Sequence, residues 1–278
     1  MTEVARSFMH RPAACVGLAV LILFILVAAF APFLAHGDPW EMAGAPFEPP
    51  FQGEHWLGTD ALGRDVISEI VYGARVSLLL GAVATLAALT VGVLLGSIAG
   101  YFGGRTDDCI MRLTEVFQIV PSFVFAIVLV AVFSPSIVSI VAAIAIISWP
   151  SVARLVRGEI LSLREREFVQ AAIVVGQPWY RIIAKQILPN ALSPIIVTST
   201  IMVATAILLE SALSFLGLGA PDLMSWGYMI GAGRNVIRQA WWLTAFPGIA
   251  LMLVILALNL VSEGLNDALN PKLSRKSR

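Results

Sequence analysis

Residues 170–190 read "QAAIVVGQPWYRIIAKQILPN", a glycine-proline break and a basic helix set between two apolar runs long enough to cross a membrane. Gly176 suits the residue just past a helix end, and Pro178 suits the first turn of the next helix, where its missing N–H has no intrahelical partner. The stretch therefore predicts helix, turn, helix, with Pro189 closing the second helix. Trp179, Ile182, Ile183, Gln186 and Ile187 recur at i, i+3, i+4, i+7 and i+8 on one face, while Arg181 and Lys185 lie elsewhere. Upstream, Arg164 to Glu167 form a charged run, and Ala171 and Ala172 make a smooth patch that another backbone can approach. Such a unit either lies on the membrane surface and the bases of its own helices, or docks a separate protein.

The rest of the chain settles the solvent. Of its 278 residues, 58% are apolar and 13% charged, with a mean hydropathy of +0.87. Globular chains carry about 25% charge, so the sequence is that of a multi-span membrane protein. Apolar runs near the length needed to cross about 30 Å of hydrocarbon predict six helices. They cover Cys15–Leu34, Val76–Tyr101, Val116–Phe133, Ile137–Val156, Ala191–Gly217 and Leu243–Val261. Pro121, Pro150, Pro194 and Pro247 fall inside or at the edges of these runs and predict kinks there. Only Ser134, Pro135 and Ser136 join the third and fourth runs, which predicts an antiparallel hairpin.

Basic residues concentrate on the cytoplasmic side of a bilayer. With the N-terminus inside, all but Arg64, Arg75, Arg234 and Arg238 of the 18 Lys and Arg residues face the cytoplasm. Both termini are then cytoplasmic. The expected organisation is a cytoplasmic N-terminus over 1–14, an uncleaved first span over 15–34 and a periplasmic loop over 35–75. A five-helix core over 76–265 follows, carrying a cytoplasmic loop at 157–190, and a basic tail over 266–278 ends the chain.

Resemblance to known sequences narrows the choice. Ala171-Ala172, three residues, Gly176, then Leu188-Pro189 resembles the EAA loop of permease subunits in bacterial ATP-binding-cassette importers. Gln170 stands where that motif has Glu, and Gln186 where it has Ile. Residues 55–65, "HWLGTDALGRD", and 208–219, "LLESALSFLGLG", resemble segments of the second, C-type subunit of the dipeptide, oligopeptide and nickel permeases. So do Trp226-Gly227, Gly233-Arg234, Trp241-Trp242, Phe246-Pro247-Gly248 and Asn270-Pro271-Lys272, in that order, whereas "SEGLNDALNP" at 262–271 is less acidic than the family's form.

The resemblance implies an all-α membrane protein of the type I importer permease fold in the bacterial inner membrane. It would form half of a pore with a homologous second permease. Two ATP-binding subunits would dock inside and a periplasmic or lipid-anchored solute-binding protein outside. ATP would be bound by those partner subunits, with no cofactor in this chain and no nucleic acid. The docking-loop residues this implies are Gln170, Ala171, Ala172, Gly176, Pro178, Ile182, Ile187, Leu188 and Pro189. The implied cargo is a di- or oligopeptide, with nickel complexes, glutathione or another small solute as alternatives. A stand-alone secondary transporter is the reading from another class.

Other features fit this picture. No GxxxxGK[ST] phosphate loop occurs, so energy would come from another subunit. His10, His36 and His55 lack metal-ligand spacing, and Cys15 and Cys109 suggest no disulfide. Glu210 within the fifth run must meet a partner or water, and with Asn259 is a candidate for the pathway or a subunit interface. In the first outer loop Gly58, Thr59, Asp60, Gly63, Arg64 and Asp65 form the recognisable motif. Thr59 or Asp60 is expected to cap a short helix through Ile70, and Arg64 and Asp65 to pair with each other or a partner. Trp226, Tyr228, Trp241 and Trp242 in the second outer loop are expected at headgroup level. Gly81, Gly92, Gly96 and Gly100 include small residues four apart, a spacing that permits close helix packing.

Overall fold

The computed structural model describes residues 2–35 and 37–269. His36, Asn270, Pro271 and the tail basic residues Lys272, Arg275, Lys276 and Arg278 lie outside the described residues.

Among the described residues the regular elements are helices. In chain order the elements are α1 (Thr2–Met9), α2 (Pro12–Ala29), α3 (Ala31–Leu34), α4 (Val66–Phe102), α5 (Gly104–Ile119) and α6 (Ser122–Phe133). They continue with α7 (Ile137–Arg164), α8 (Glu167–Val174), α9 (Trp179–Ile182), α10 (Leu188–Phe215), α11 (Trp226–Gly233) and α12 (Trp242–Leu269). Five apolar helical stretches are long enough to span a bilayer, and α5 with α6 makes a sixth bent by 85°.

That bend is sharper than the kink expected at Pro121 and breaks the third span expected over Val116–Phe133 into two helices. Val120 is extended, with ψ of 131°, because the ring of Pro121 disfavours the helical region for the residue before it. The apolar α6 that follows has 12 residues. It is therefore about 18 Å long, too short to cross about 30 Å of hydrocarbon by itself.

α4 also departs from expectation. No separate helix precedes the second span; one helix of 37 residues runs from Val66 to Phe102. Its N-cap is Asp65, not Thr59 or Asp60: the Asp65 carboxylate accepts from the Ser68 backbone N–H at 2.9 Å. The helix is about 55 Å long and rises well beyond the hydrocarbon. It packs along α7 through a stripe of small residues. A Cβ at Gly96 would lie 2.4 Å from the Ala153 carbonyl oxygen, so only glycine admits this approach. Gly92 meets Val152, and Gly100 meets Ile160, in the same way.

α7 starts at a capping box in which Ser136 and Ser139 exchange side-chain and backbone bonds. It continues to Arg164, about two turns beyond the expected end of the fourth span. α2 is peripheral. Of its residues only Ala14, Gly17 and Ala28 are buried, and Gly17 seats against Leu260 on α12. α1 adds a short helix to the expected N-terminal tail, with Phe8 packed near Ala14 and Val261.

The segments over 37–65 and 216–241 fold together into one cap. Trp226 and Trp242 are buried pins of this cap, correcting the expected headgroup placement. Their indole N–H groups donate to the carbonyls of Ile70 and Thr59, both at 3.1 Å. Trp40 packs edge-on against Tyr228, and among the four aromatic residues expected at the interface Trp241 is the one largely exposed. At the other end, α8 and α9 close the bundle.

Candidate functional site

Four regions hold the candidate residues. The first is the 170–190 unit. α8 ends in a Schellman motif: Gly176 N–H donates to the Ile173 carbonyl at 2.9 Å, and Gln177 N–H to the Ala172 carbonyl at 3.1 Å. Gly176 has φ of +78°, and a Cβ added there would meet nothing within 4 Å, so the turn itself, not crowding, requires glycine. Pro178 is the N-cap of α9 and not its first residue. Nor does Pro189 close the helix. The chain passes through a π turn over Ile183–Ile187, with Leu188 N–H bonded to the Ile183 carbonyl, and runs on as α10. Pro189 lacks the N–H that would continue the normal ladder, and the wide turn absorbs the mismatch while the chain stays helical.

The unit has two faces with different fates. Val169, Ala172, Ile182 and Ile187 are buried with Val152, Val156 and Ile160 of α7 in one apolar cluster. Ile182, Ile183 and Ile187 of the amphipathic stripe read from sequence are thus used inside the chain, and Ala172 points inward, whereas Trp179 stays exposed. On the turn, Val174 and Val175 remain 86% and 78% exposed. Ala171, Gly176, Trp179 and Tyr180 are exposed beside them. Together they leave an exposed apolar patch on a turn whose own helices are already packed. Gln170, where the resembled motif has Glu, donates its amide to the Arg164 carbonyl at 3.0 Å, a bond a carboxylate cannot supply.

Sequence reading missed what ties this unit to the bundle. Arg164 of α7 donates to the Tyr101 carbonyl at the end of α4, at 3.0 Å, neutralising exposed helix-end carbonyls. Phe102 packs edge-on against Trp179, with centroids 5.4 Å apart. Arg157 forks onto Asp107 of α5. These residues join α4, α5, α7 and α9 at one end of the molecule. The charge run gives a signal for Arg164, whereas a pair 50 residues apart in sequence gives none.

The second region is Glu210, 1% exposed and enclosed between α4, α10 and the cap. Ser214 Oγ donates to its Oε1 at 2.7 Å, and Ser77 and Ser211 donate to Oε2 at 3.4 and 3.5 Å. Ser77 Oγ also accepts from Trp226 N–H at 3.4 Å. Glu210 therefore fastens α10 to α4 and the cap. Asn259 is exposed and borders a groove with Ser262, Glu263 and Asn266.

The third region is the Arg64 motif. Arg64 does not pair with Asp65; its Nε and Nη2 grip the Asp60 carboxylate, and Glu69 Oε1 lies 3.3 Å from Nε. Burial works against this charge, but the Asp60 bond and the fields of Glu69 and Asp60 more than offset it and raise the guanidinium pKa. Thr59 hydroxyl donates to the Ala45 carbonyl at 2.6 Å and accepts from Glu48 N–H at 2.9 Å. Gly58 and Gly63 are turn residues with positive φ. This motif is the internal frame of the cap.

The fourth region was not read from sequence. A cleft of about 460 Å³ opens between α6, α7 and α10, walled by Ile147, Met202, Leu208 and Leu209 and by Ser122, Ser148, Ser151 and Thr205. Its hydroxyls can each donate and accept, and its lining holds no charged side chain. The bend at Pro121 places Ser122 at its edge.

Residues 92–275 match the family described as "Binding-protein-dependent transport system inner membrane component", and residues 1–50 match "N-terminal TM domain of oligopeptide transport permease C". The chain is 44% identical over 277 residues to the dipeptide transport system permease protein DppC of Alkalihalophilus pseudofirmus, covering 98% of this chain and 90% of that one. It is 42% identical over 275 residues to the oligopeptide transport system permease protein OppC of Haemophilus influenzae, covering 97% and 88%. A solved amino acid ABC transporter structure superposes with a TM-score of 0.56 at 14% identity, covering 72% of this chain and 94% of the other, a likeness of fold alone.

Proposed function

The chain belongs to the family of inner-membrane components of binding-protein-dependent transport systems, and from that premise we propose that it imports di- or oligopeptides as one of two permease subunits. The observation that carries this reading is the Gly176 turn: Val174 and Val175 project from a unit whose other face is locked onto α7. Such a surface suits a groove on an ATP-binding subunit, and the chain lacks a phosphate loop of its own. Both termini and the 157–190 loop would face the cytoplasm, with the 266–278 tail beside them. The Arg64 cap would face the periplasm and receive the solute-binding protein.

In this mechanism ATP-driven closure of the two ATP-binding subunits moves the Gly176 turn. α7 carries the displacement as one unbroken helix from Arg164 to Ile137, and the Arg157–Asp107 pair passes it to α5 and the bent α6. α6 and α7 both wall the hydroxyl-lined cleft, which becomes the route for cargo. Neutral hydroxyls bind amide groups and do not select side-chain charge, which suits peptides of varied sequence. Selectivity among peptides then resides chiefly in the binding protein. Asn259 and its groove would offer a surface for the second permease.

The test is reconstitution of the chain with its second permease, two ATP-binding subunits and binding protein in liposomes, followed by uptake of a labelled dipeptide. Uptake that requires ATP inside and the binding protein outside supports the reading. Uptake by the chain alone, without ATP, replaces it with a secondary transporter.

A further inference from the structure

A second groove, sharing no lining residue with the cleft, lies between α2 and α4, with Val203 of α10 and Leu258 of α12 also lining it. It has a volume of about 380 Å³, and its wall is apolar except at one place. That place is Arg75, which is exposed and forms no salt bridge among the described residues. We propose that this groove binds one anionic glycerophospholipid, with an acyl chain between α2 and α4 and the phosphodiester on Arg75.

Geometry, charge and position support one occupant. Arg75 immediately precedes the apolar run of α4, so its guanidinium stands where headgroups begin. Ala82, seven residues further on, lines the groove about 10 Å deeper along the helix axis, which is the direction an acyl chain takes from its headgroup. Ala28, Ala29 and Ala82 are small, and their lack of bulk leaves the room that larger apolar residues would fill. No Asp or Glu lines the groove, so a zwitterionic lipid's ammonium finds no partner there and weakens the pull of Arg75 on its own phosphate, whereas an anionic lipid's phosphate carries no such counter-charge. α2 itself is peripheral and packs mainly on α12 and α4, which leaves its remaining surface open for an acyl chain.

The inference stands apart from the transport mechanism and is tested on the chain co-purified with its second permease. The complex is placed in nanodiscs of phosphatidylglycerol and phosphatidylcholine in equal amounts, extracted into mild detergent, and its retained lipid measured by native mass spectrometry. The wild type is expected to retain phosphatidylglycerol in preference to phosphatidylcholine. Arg75→Gln and Ala82→Leu should each lower that retention about fivefold, and Arg75→Lys should restore most of it. Arg75 is exposed, so its replacement leaves folding intact, and an unchanged melting temperature checks this. Equal retention in the wild type, R75Q and A82L overturns the proposal. So does a photo-cross-linking probe at position 82 that captures the second permease in place of lipid.

Discussion

Arg157 on α7 donates from Nε and Nη2 to the two carboxylate oxygens of Asp107 on α5, bridging 50 residues of chain with a planar fork. The pair stands about two turns before the end of α7, where the chain leaves the bundle for the Gly176 turn. It is placed to make α5 follow α7, and lysine in place of Arg157 keeps the charge but loses the fork.

Asp107→Ala should therefore lower stability by about 1–2 kcal/mol, since Arg157 is partly solvated. The larger effect is expected on coupling: transport falls more than assembly does. Exchanging the two residues, as the D107R/R157D double variant, should recover part of both. Melting curves and uptake measured together check this, and loss of stability without loss of coupling counts against the lever.

The close approach of α4 to α7 gives a second expectation. Gly96→Val places new atoms into the Ala153 carbonyl and should cost at least about 1–3 kcal/mol, with misassembly in the membrane. Gly158→Ala, with nothing within 4 Å, is the matched control and should be neutral. Yield of folded protein by size-exclusion fluorescence separates the two.

Much of this architecture is legible in the sequence, for reasons that differ by region. Span positions follow from composition, because about 30 Å of hydrocarbon demands long apolar runs. Gly176 is legible because a left-handed helix end selects glycine. The Pro121 bend is not, since proline inside an apolar run fits a kink as well as a break. Trp226 and Trp242 mislead because an indole satisfies headgroup depth and a buried N–H bond equally, and only the carbonyls of Ile70 and Thr59 decide between them. Ala172 reads as part of an open patch, yet it packs beneath the turn, so its replacement would test folding before docking.

Glu210 offers a third test. Glu210→Ala would leave the hydroxyls of Ser77, Ser211 and Ser214 without their acceptor, at about 1–3 kcal/mol for each unsatisfied group. Glu210→Gln keeps one acceptor oxygen and should be milder. Thermal stability in detergent should rank wild type above E210Q and E210Q above E210A. If E210A instead keeps wild-type stability and loses only uptake, Glu210 acts on cargo and not as a fastener.

The central claim is that the Gly176 turn is the handle by which an ATP-binding subunit moves this chain. The most direct measurement is co-purification of the complex carrying Val174→Glu and Val175→Glu, two exposed positions whose charge should leave the fold intact. The account predicts that the second permease stays bound, the melting temperature is unchanged, and the ATP-binding subunits and ATP-dependent uptake are lost. Full retention of the ATP-binding subunits with normal uptake would contradict it.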